Sequence, residues 1–446
     1  MFQMKKFWPI LAAILFCVQA FVACSNSELY YAADVVIEAV EPDSILKDTV
    51  EADTTATDTA EVDTAEVDTT EVDTTAPADT TSPADTTKAD SIAVGTSDHR
   101  IATWGVRTPY YINLLYPVDS FLAEFEIGDI VTVEIAGYDT LEMPVVESIS
   151  DVPLAGLLVS ARAGSDYVSL GINYGSFSDI IGLTDENDFI ELVVTLKEKG
   201  GYLQGLEIMR TAMYMDSYKE SYPDLSIAEF ANFREVRTKG MGEHKLYRSS
   251  SPIYMYLGRN YYADSLAKEA GVATFINFAD LEDGARSYKG FKTTYYSTQN
   301  AIFLGVPPEF FSSIFQEGLV KGLRYMIEHE APYLVHCTYG MDRTGFTIAV
   351  LEALMGATVE EIQADYAKTF SNFYYTLVDG APVALNEQQV DFFKSVVIRN
   401  LRAVFNAKGI HVPDTGSADW ATATESFLVK LGMTTQEISA LKDRLK

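Results

Sequence analysis

The sequence predicts an α/β domain, a central sheet flanked by helices, preceded by a small all-β, barrel-like domain and a disordered N-terminal tether. Three observations carry this reading. Residues 34–97 hold 17 Asp+Glu against only Lys47 and Lys88, with few large apolar side chains. Residues 98–197 alternate apolar and polar positions in short runs divided by glycines, and beyond about residue 200 helical spacing takes over. At 446 residues, 48% hydrophobic and 12% aromatic, the chain can bury sizeable cores, so a wholly disordered protein is excluded. A formal charge of −31, from 33 Lys+Arg and 64 Asp+Glu, excludes a general nucleic-acid binder.

Taken in order, residues 1–23 read as an export signal. Lys5 and Lys6 precede an apolar run from Phe7 to Leu15 that is too short, and too interrupted by Pro9 and Gln19, for a membrane span. The ending Phe21-Val22-Ala23-Cys24 is similar to a bacterial lipobox, which implies lipidation of Cys24. Residues 24–97 then form the tether. Glu-Val-Asp-Thr recurs at 61, 66 and 71, and such a stretch buries too little surface to offset its ordering entropy. Its ten Asp-Ser/Thr-x tripeptides, from Asp43 to Asp90, are similar to an O-glycosylation sequon of exported bacterial proteins, and the same residues also serve as a plain soluble spacer. The expected location is an exported lipoprotein, periplasmic or at the cell surface, held to the membrane by its N-terminal lipid.

The all-β domain is placed at 98–197, antiparallel, on runs such as Ile130–Ile135 and Glu191–Leu196. From 198 to 446 the pattern is α/β. Thr358-Val-Glu-Glu361 and Thr434-Thr-Gln-Glu437 read as capping boxes that open amphipathic helices.

The chemistry concentrates after Tyr333-Leu334-Val335, a short buried strand. There the chain reads His336-Cys337-Thr338-Tyr339-Gly340-Met341-Asp342-Arg343-Thr344-Gly345 and then runs apolar to Leu354. A strand, a loop and a helix N-terminus aim backbone N–H groups and the positive dipole end at one point, a site for a phosphate dianion. That field favours the thiolate of Cys337, the nucleophilic form. Arg343, six residues on, can curl back and clamp two phosphate oxygens with its planar fork. Thr344 can donate its hydroxyl to the thiolate, and Asp342 places a carboxyl beside the reacting centre.

The ten residues His336–Gly345 resemble the signature loop of the cysteine-dependent phosphatases of the tyrosine-phosphatase superfamily, in its atypical bacterial subgroup of tyrosine, dual-specificity and lipid phosphatases. Asn232-Phe233-Arg234-Glu235, Leu246-Tyr247-Arg248-Ser249 and the closing stretch Ala421–Leu445 extend the resemblance over about 230–446. It implies Cys337 as nucleophile, Arg343 as phosphate ligand and Asp342 as general acid. Thr338, Tyr339, Gly340, Met341, Thr344 and Arg248 are then substrate contacts, and His336 orders the loop. No cofactor is implied. The five histidines have no zinc-site spacing, so no metal is expected. The implied partner is a phosphorylated protein or a small phosphomonoester.

The sequence departs from the family at two places. Met341 stands where members that accept phosphoinositides often carry Lys, and Asn277-Phe278-Ala279-Asp280 stands where the family has Asp-Leu-Arg-Ser, which counts against highly anionic substrates. Alternatives remain open at several residues: Asp342 as a helix cap, with Asp280, Glu282 or Asp283 as the acid; Arg248 as an ordinary ion pair; Tyr339 as an idle loop residue. At the level of function, the alternatives are an inositol-phosphate or phosphoinositide phosphatase and a phosphate-binding surface lipoprotein without turnover.

Overall fold

The computed structural model describes residues 99–446, apart from 139, 182–188 and 413–416. The signal segment, Cys24 and the Asp/Thr-rich tether lie outside the described residues. Residues 97–446 form one compact unit. No described helix is long and apolar enough to cross a membrane.

Seven strands close into a barrel: β1 (Arg100–Arg107), β2 (Ile112–Leu114), β3 (Ile130–Ile135), β4 (Leu141–Val146), β5 (Leu157–Ser160), β6 (Val168–Ile172) and β7 (Phe189–Glu198). The order is β1-β2-β6-β5-β4-β3-β7. Period-two alternation sets the inner face, for Val131, Val133 and Ile135 turn inward while Thr132 and Glu134 do not. The short helix α1 (Val118–Glu124) adds Phe121 and, just beyond it, Phe125 to that core, the two rings 4.8 Å apart. One feature departs from the expected antiparallel unit: β4 and β5 pair in parallel. The segment between them holds a helical turn at Ile149–Asp151, so the chain returns to start β5 in the direction of β4 rather than folding back in a hairpin.

The α/β part carries a five-stranded sheet in the order β11-β10-β12-β9-β8, built from β8 (Arg234–Glu235), β9 (Leu246–Ser249), β10 (Thr274–Asn277), β11 (Asn300–Phe303) and β12 (Tyr333–His336). All its pairs are parallel except β8 with β9. Helices α2 (Leu203–Thr211), α3 (Asn260–Glu269), α4 (Ser313–Glu328), α5 (Asp342–Met355), α6 (Val359–Phe373), α7 (Glu387–Ala407), α8 (Ser417–Lys430) and α9 (Thr435–Leu445) complete it. Both capping boxes form: Thr358 and Thr434 accept from the N–H of Glu361 and Glu437, whose carboxylates reach back to the cap N–H groups. Helix α5 is buried along its whole length from Thr344 to Leu354, as befits a central helix rather than an amphipathic surface one. Because β12 lies at the centre of the sheet and feeds α5 directly, the loop between them sits at the carboxyl ends of parallel strands, where open α/β sheets bind ligands.

Candidate active site

The loop runs from Cys337 to Met341, and its shape is set at Gly340. The backbone there has φ +67°, and a Cβ on this residue would stand 2.0 Å from the Ser249 carbonyl oxygen. Only glycine fits. The Gly340 carbonyl is drawn away from the loop centre by Arg248 Nη2 at 2.9 Å and Asn232 Nδ2 at 3.3 Å, while Ser251 N–H donates to the Thr338 carbonyl at 3.0 Å. With the carbonyls turned outward, the N–H groups of Thr338, Gly340 and Met341 donate to no acceptor among the described residues. Free loop amides beside a helix N-terminus are an anion cradle.

Cys337 follows β12 directly and is nearly fully buried at the base of this loop. Arg343 curls back as expected, with Nη2 donating to Thr338 Oγ1 at 3.3 Å. Its Nη1 donates to the carbonyls of Val306 (2.9 Å) and Phe278 (3.3 Å), so the loops after β11 and β10 aim the guanidinium. Asp342, half-buried at the start of α5, has its carboxyl pushed up to about 6 by burial, against the opposing charge of Arg343. A carboxyl in that range can both hold and release a proton near neutrality. His336 is fully buried, and burial drives its imidazole down to about 4, so it is neutral. It lies 3.3 Å from the Tyr296 hydroxyl and 3.4 Å from the Cys337 carbonyl.

Three residues expected to touch substrate are placed otherwise. Arg248 is buried, its guanidinium shared among Asp365, Gly340 and Thr369, so it supports the loop from beneath. The Met341 side chain turns inward and receives the Tyr374 hydroxyl at Sδ (3.5 Å), because an apolar side chain gains more from burial than from the loop mouth, which leaves only its N–H in the cradle. Thr344 packs into the buried face of α5 and its hydroxyl has no hydrogen-bond partner among the described residues, the sulfur of Cys337 included. Tyr339 stays half-exposed at the mouth, edge-on to Phe373 at 5.8 Å.

Of the alternative acids, two are engaged elsewhere. Asp280 accepts from the Tyr288 hydroxyl (2.6 Å) and Asn277 Nδ2 (2.9 Å), Glu282 pairs with Arg286, and Asp283 is exposed on a short helix. Two functional neighbours went unread in the sequence. Asp365 and Tyr366 lie on α6, and Tyr366 packs so closely on Gly345 that a Cβ there would meet its ring at 2.6 Å. The available signal was an Asp on the apolar stripe Ile362, Tyr366, Thr369, Phe370 of an amphipathic helix.

The model of the tyrosine phosphatase family matches residues 292–446. Over those residues, the loop of Cys337 and Arg343 included, the chain is similar to that family. The family match takes in β11, β12, the loop and every helix from α4 onward, whereas Asn232 and Arg248 fall before it. Among solved structures, the chain is similar to an uncharacterized conserved protein from Thermotoga maritima, at 24% identity over 21% of this chain and 36% of that one (TM-score 0.19). It is also similar to the core catalytic domain of the PP-IP phosphatase SIW14 from S. cerevisiae, at 20% identity over 40% of this chain and 93% of that one (TM-score 0.23). The match spans about a third of the Thermotoga protein's length, and at these TM-scores both likenesses are local. No curated protein matches the chain.

Proposed function

We propose that the chain is an extracytoplasmic phosphatase that hydrolyses phosphotyrosine or a related phosphomonoester through a phosphocysteine intermediate. The observation that carries this reading is the set of unengaged N–H groups at Thr338, Gly340 and Met341 around Cys337, with Arg343 folded back beside them. In the first step the Cys337 thiolate attacks phosphorus, the bond to the leaving oxygen breaks, and protonated Asp342 gives that oxygen its proton. In the second, water attacks phosphorus, the P–S bond breaks to return the thiolate, and Asp342 takes the water proton. Tyr339, its ring packed edge-on against the buried Phe373, offers an aromatic face to an aromatic leaving group.

The test is p-nitrophenyl phosphate hydrolysis by residues 98–446 with EDTA present, from pH 5 to 8. Cys337→Ser abolishes turnover. Because the acid must be protonated and Asp342 titrates at about 6, kcat falls as pH rises above that value. Asp342→Asn lowers kcat about 10²-fold or more and removes that descending limb. A folded, reduced wild type without turnover overturns the enzyme reading in favour of a phosphate-binding protein.

A second reading, a substrate with more than one phosphate, is favoured by Arg399 on α7. Arg234, Arg248 and Arg259 are all held by carboxylate or carbonyl partners, whereas Arg399 has none among the described residues. Burial raises the Tyr366 phenol, the Asp342 carboxyl adds to the rise, and the charges of Arg248 and Arg399 oppose it. Under this reading Arg399→Gln loses at least about tenfold more kcat/KM on an inositol polyphosphate than on p-nitrophenyl phosphate, the value of one charged hydrogen bond. Equal losses on both leave the single-phosphate reading alone.

Export and anchoring rest on the sequence of residues 1–24, and we propose Cys24 as the lipidated residue. Metabolic labelling with palmitate that persists in Cys24→Ala rules this out.

A further inference from the structure

We infer that Asp365 is a positioning residue for the phosphate loop, acting through Arg234 and Arg248. This rests on the phosphatase reading of the same loop. Asp365 lies on α6, 22 residues beyond Arg343, and each of its carboxylate oxygens holds a different guanidinium. Oδ1 accepts from Arg234 Nε at 2.6 Å, and Oδ2 accepts from Arg248 Nη1. Arg248 reaches the loop directly and Arg234 reaches it through Asn232. Arg248 Nη2 donates to the Gly340 carbonyl directly at 2.9 Å. Arg234 Nη1 donates to Asn232 Oδ1 at 2.7 Å, and Asn232 Nδ2 bridges the carbonyls of Tyr339 and Gly340, both at 3.3 Å. Thr369, one turn along α6, accepts from both guanidiniums at 2.9 and 3.3 Å and keeps them side by side.

The carboxylate therefore sets where two cations stand, and the cations set which way the loop carbonyls point. Turning the carbonyls of 339 and 340 down turns the intervening N–H groups up, toward the anion. Charge acts in the same direction. Burial works to protonate Asp365, but its two arginines outweigh burial and hold it ionised, while burial and the adjoining Asp365 raise the Glu352 carboxyl. Fixed positive charge and preorganised donors at the point where phosphate charge gathers are what such a site requires.

The experiment compares wild type, Asp365→Asn, Arg248→Lys and Arg248→Met as residues 98–446. It reads kcat and KM on p-nitrophenyl phosphate, tungstate affinity by calorimetry, and the thermal midpoint. Arg248→Lys keeps the charge facing Asp365 but lacks the fork that spans Asp365 and Gly340. We expect Arg248→Lys to weaken tungstate binding and kcat about tenfold, with a midpoint close to wild type, and Arg248→Met and Asp365→Asn to lose about 10²-fold or more. A folded Arg248→Lys with wild-type tungstate affinity and kcat overturns the inference, even if Asp365→Asn does not fold. If wild type binds tungstate but turns over no phosphomonoester, the phosphatase reading fails, and the tungstate affinities still decide whether Asp365 positions the loop.

Discussion

Gly340 shows how little freedom the catalytic loop has. Its φ of +67° alone makes alanine unfavourable by about 1 kcal/mol, and a Cβ 2.0 Å from the Ser249 carbonyl oxygen adds a collision with backbone that cannot step aside. Gly271 has nearly the same φ, +65°, with nothing within 4 Å of such a Cβ. Gly340→Ala should therefore lose turnover about 10²-fold or more through the displaced loop, while Gly271→Ala costs about 1 kcal/mol and leaves kcat unchanged. Steady-state kinetics with a melting curve for each variant check this, and an active Gly340→Ala contradicts the described loop. The glycine itself was legible in the sequence as part of a motif. The obstacle that demands it was not, since Ser249 comes from another strand 91 residues earlier. The same distance in sequence hid the fate of Arg248. An arginine at a strand end reads equally as a phosphate ligand or an ion pair, and only the position of Asp365 on α6 decides.

At the scale of elements, local rules were read well where the interaction closes within a few residues. Both capping boxes form, at Thr358 and Thr434, because the side chains and N–H groups concerned are three positions apart. The capping carboxylate at Thr434 also links two helices, since Glu437 accepts from Arg324 Nε at 2.7 Å and so ties α9 to α4. Thr434→Ala should cost about 1 kcal/mol of stability without changing turnover per folded molecule, measured by chemical denaturation beside p-nitrophenyl phosphate hydrolysis. The parallel pairing of β4 with β5 was not legible. Alternation tells which face a residue takes but carries no information on the direction of the neighbouring strand.

Across the whole described unit, the barrel and the α/β part share contacts that bind them into one compact body. Asn400 of α7, buried, donates to the Leu154 carbonyl at 3.1 Å, the Tyr202 hydroxyl donates to the Asp151 carbonyl at 3.0 Å, and the Tyr202 ring lies 6.2 Å from that of Phe392. Residues 98–446 should therefore unfold in one calorimetric transition, and Asn400→Ala should lower stability by about 1–2 kcal/mol without dividing that transition in two. Two separate transitions in the wild type contradict a shared core.

By itself, the sequence determined the order of β and α/β regions, the strand, loop and helix around Cys337, and the residues that curl back over it. Each follows from periodicity, a cap or a short motif, interactions that close within a few positions along the chain. Only the tertiary structure decided which side chains face the anion. Met341 turned inward because burying its apolar side chain stabilises the core, Thr344 lies on the buried face of α5, and Arg248 went beneath the loop, where α6 supplies a carboxylate from 117 residues away.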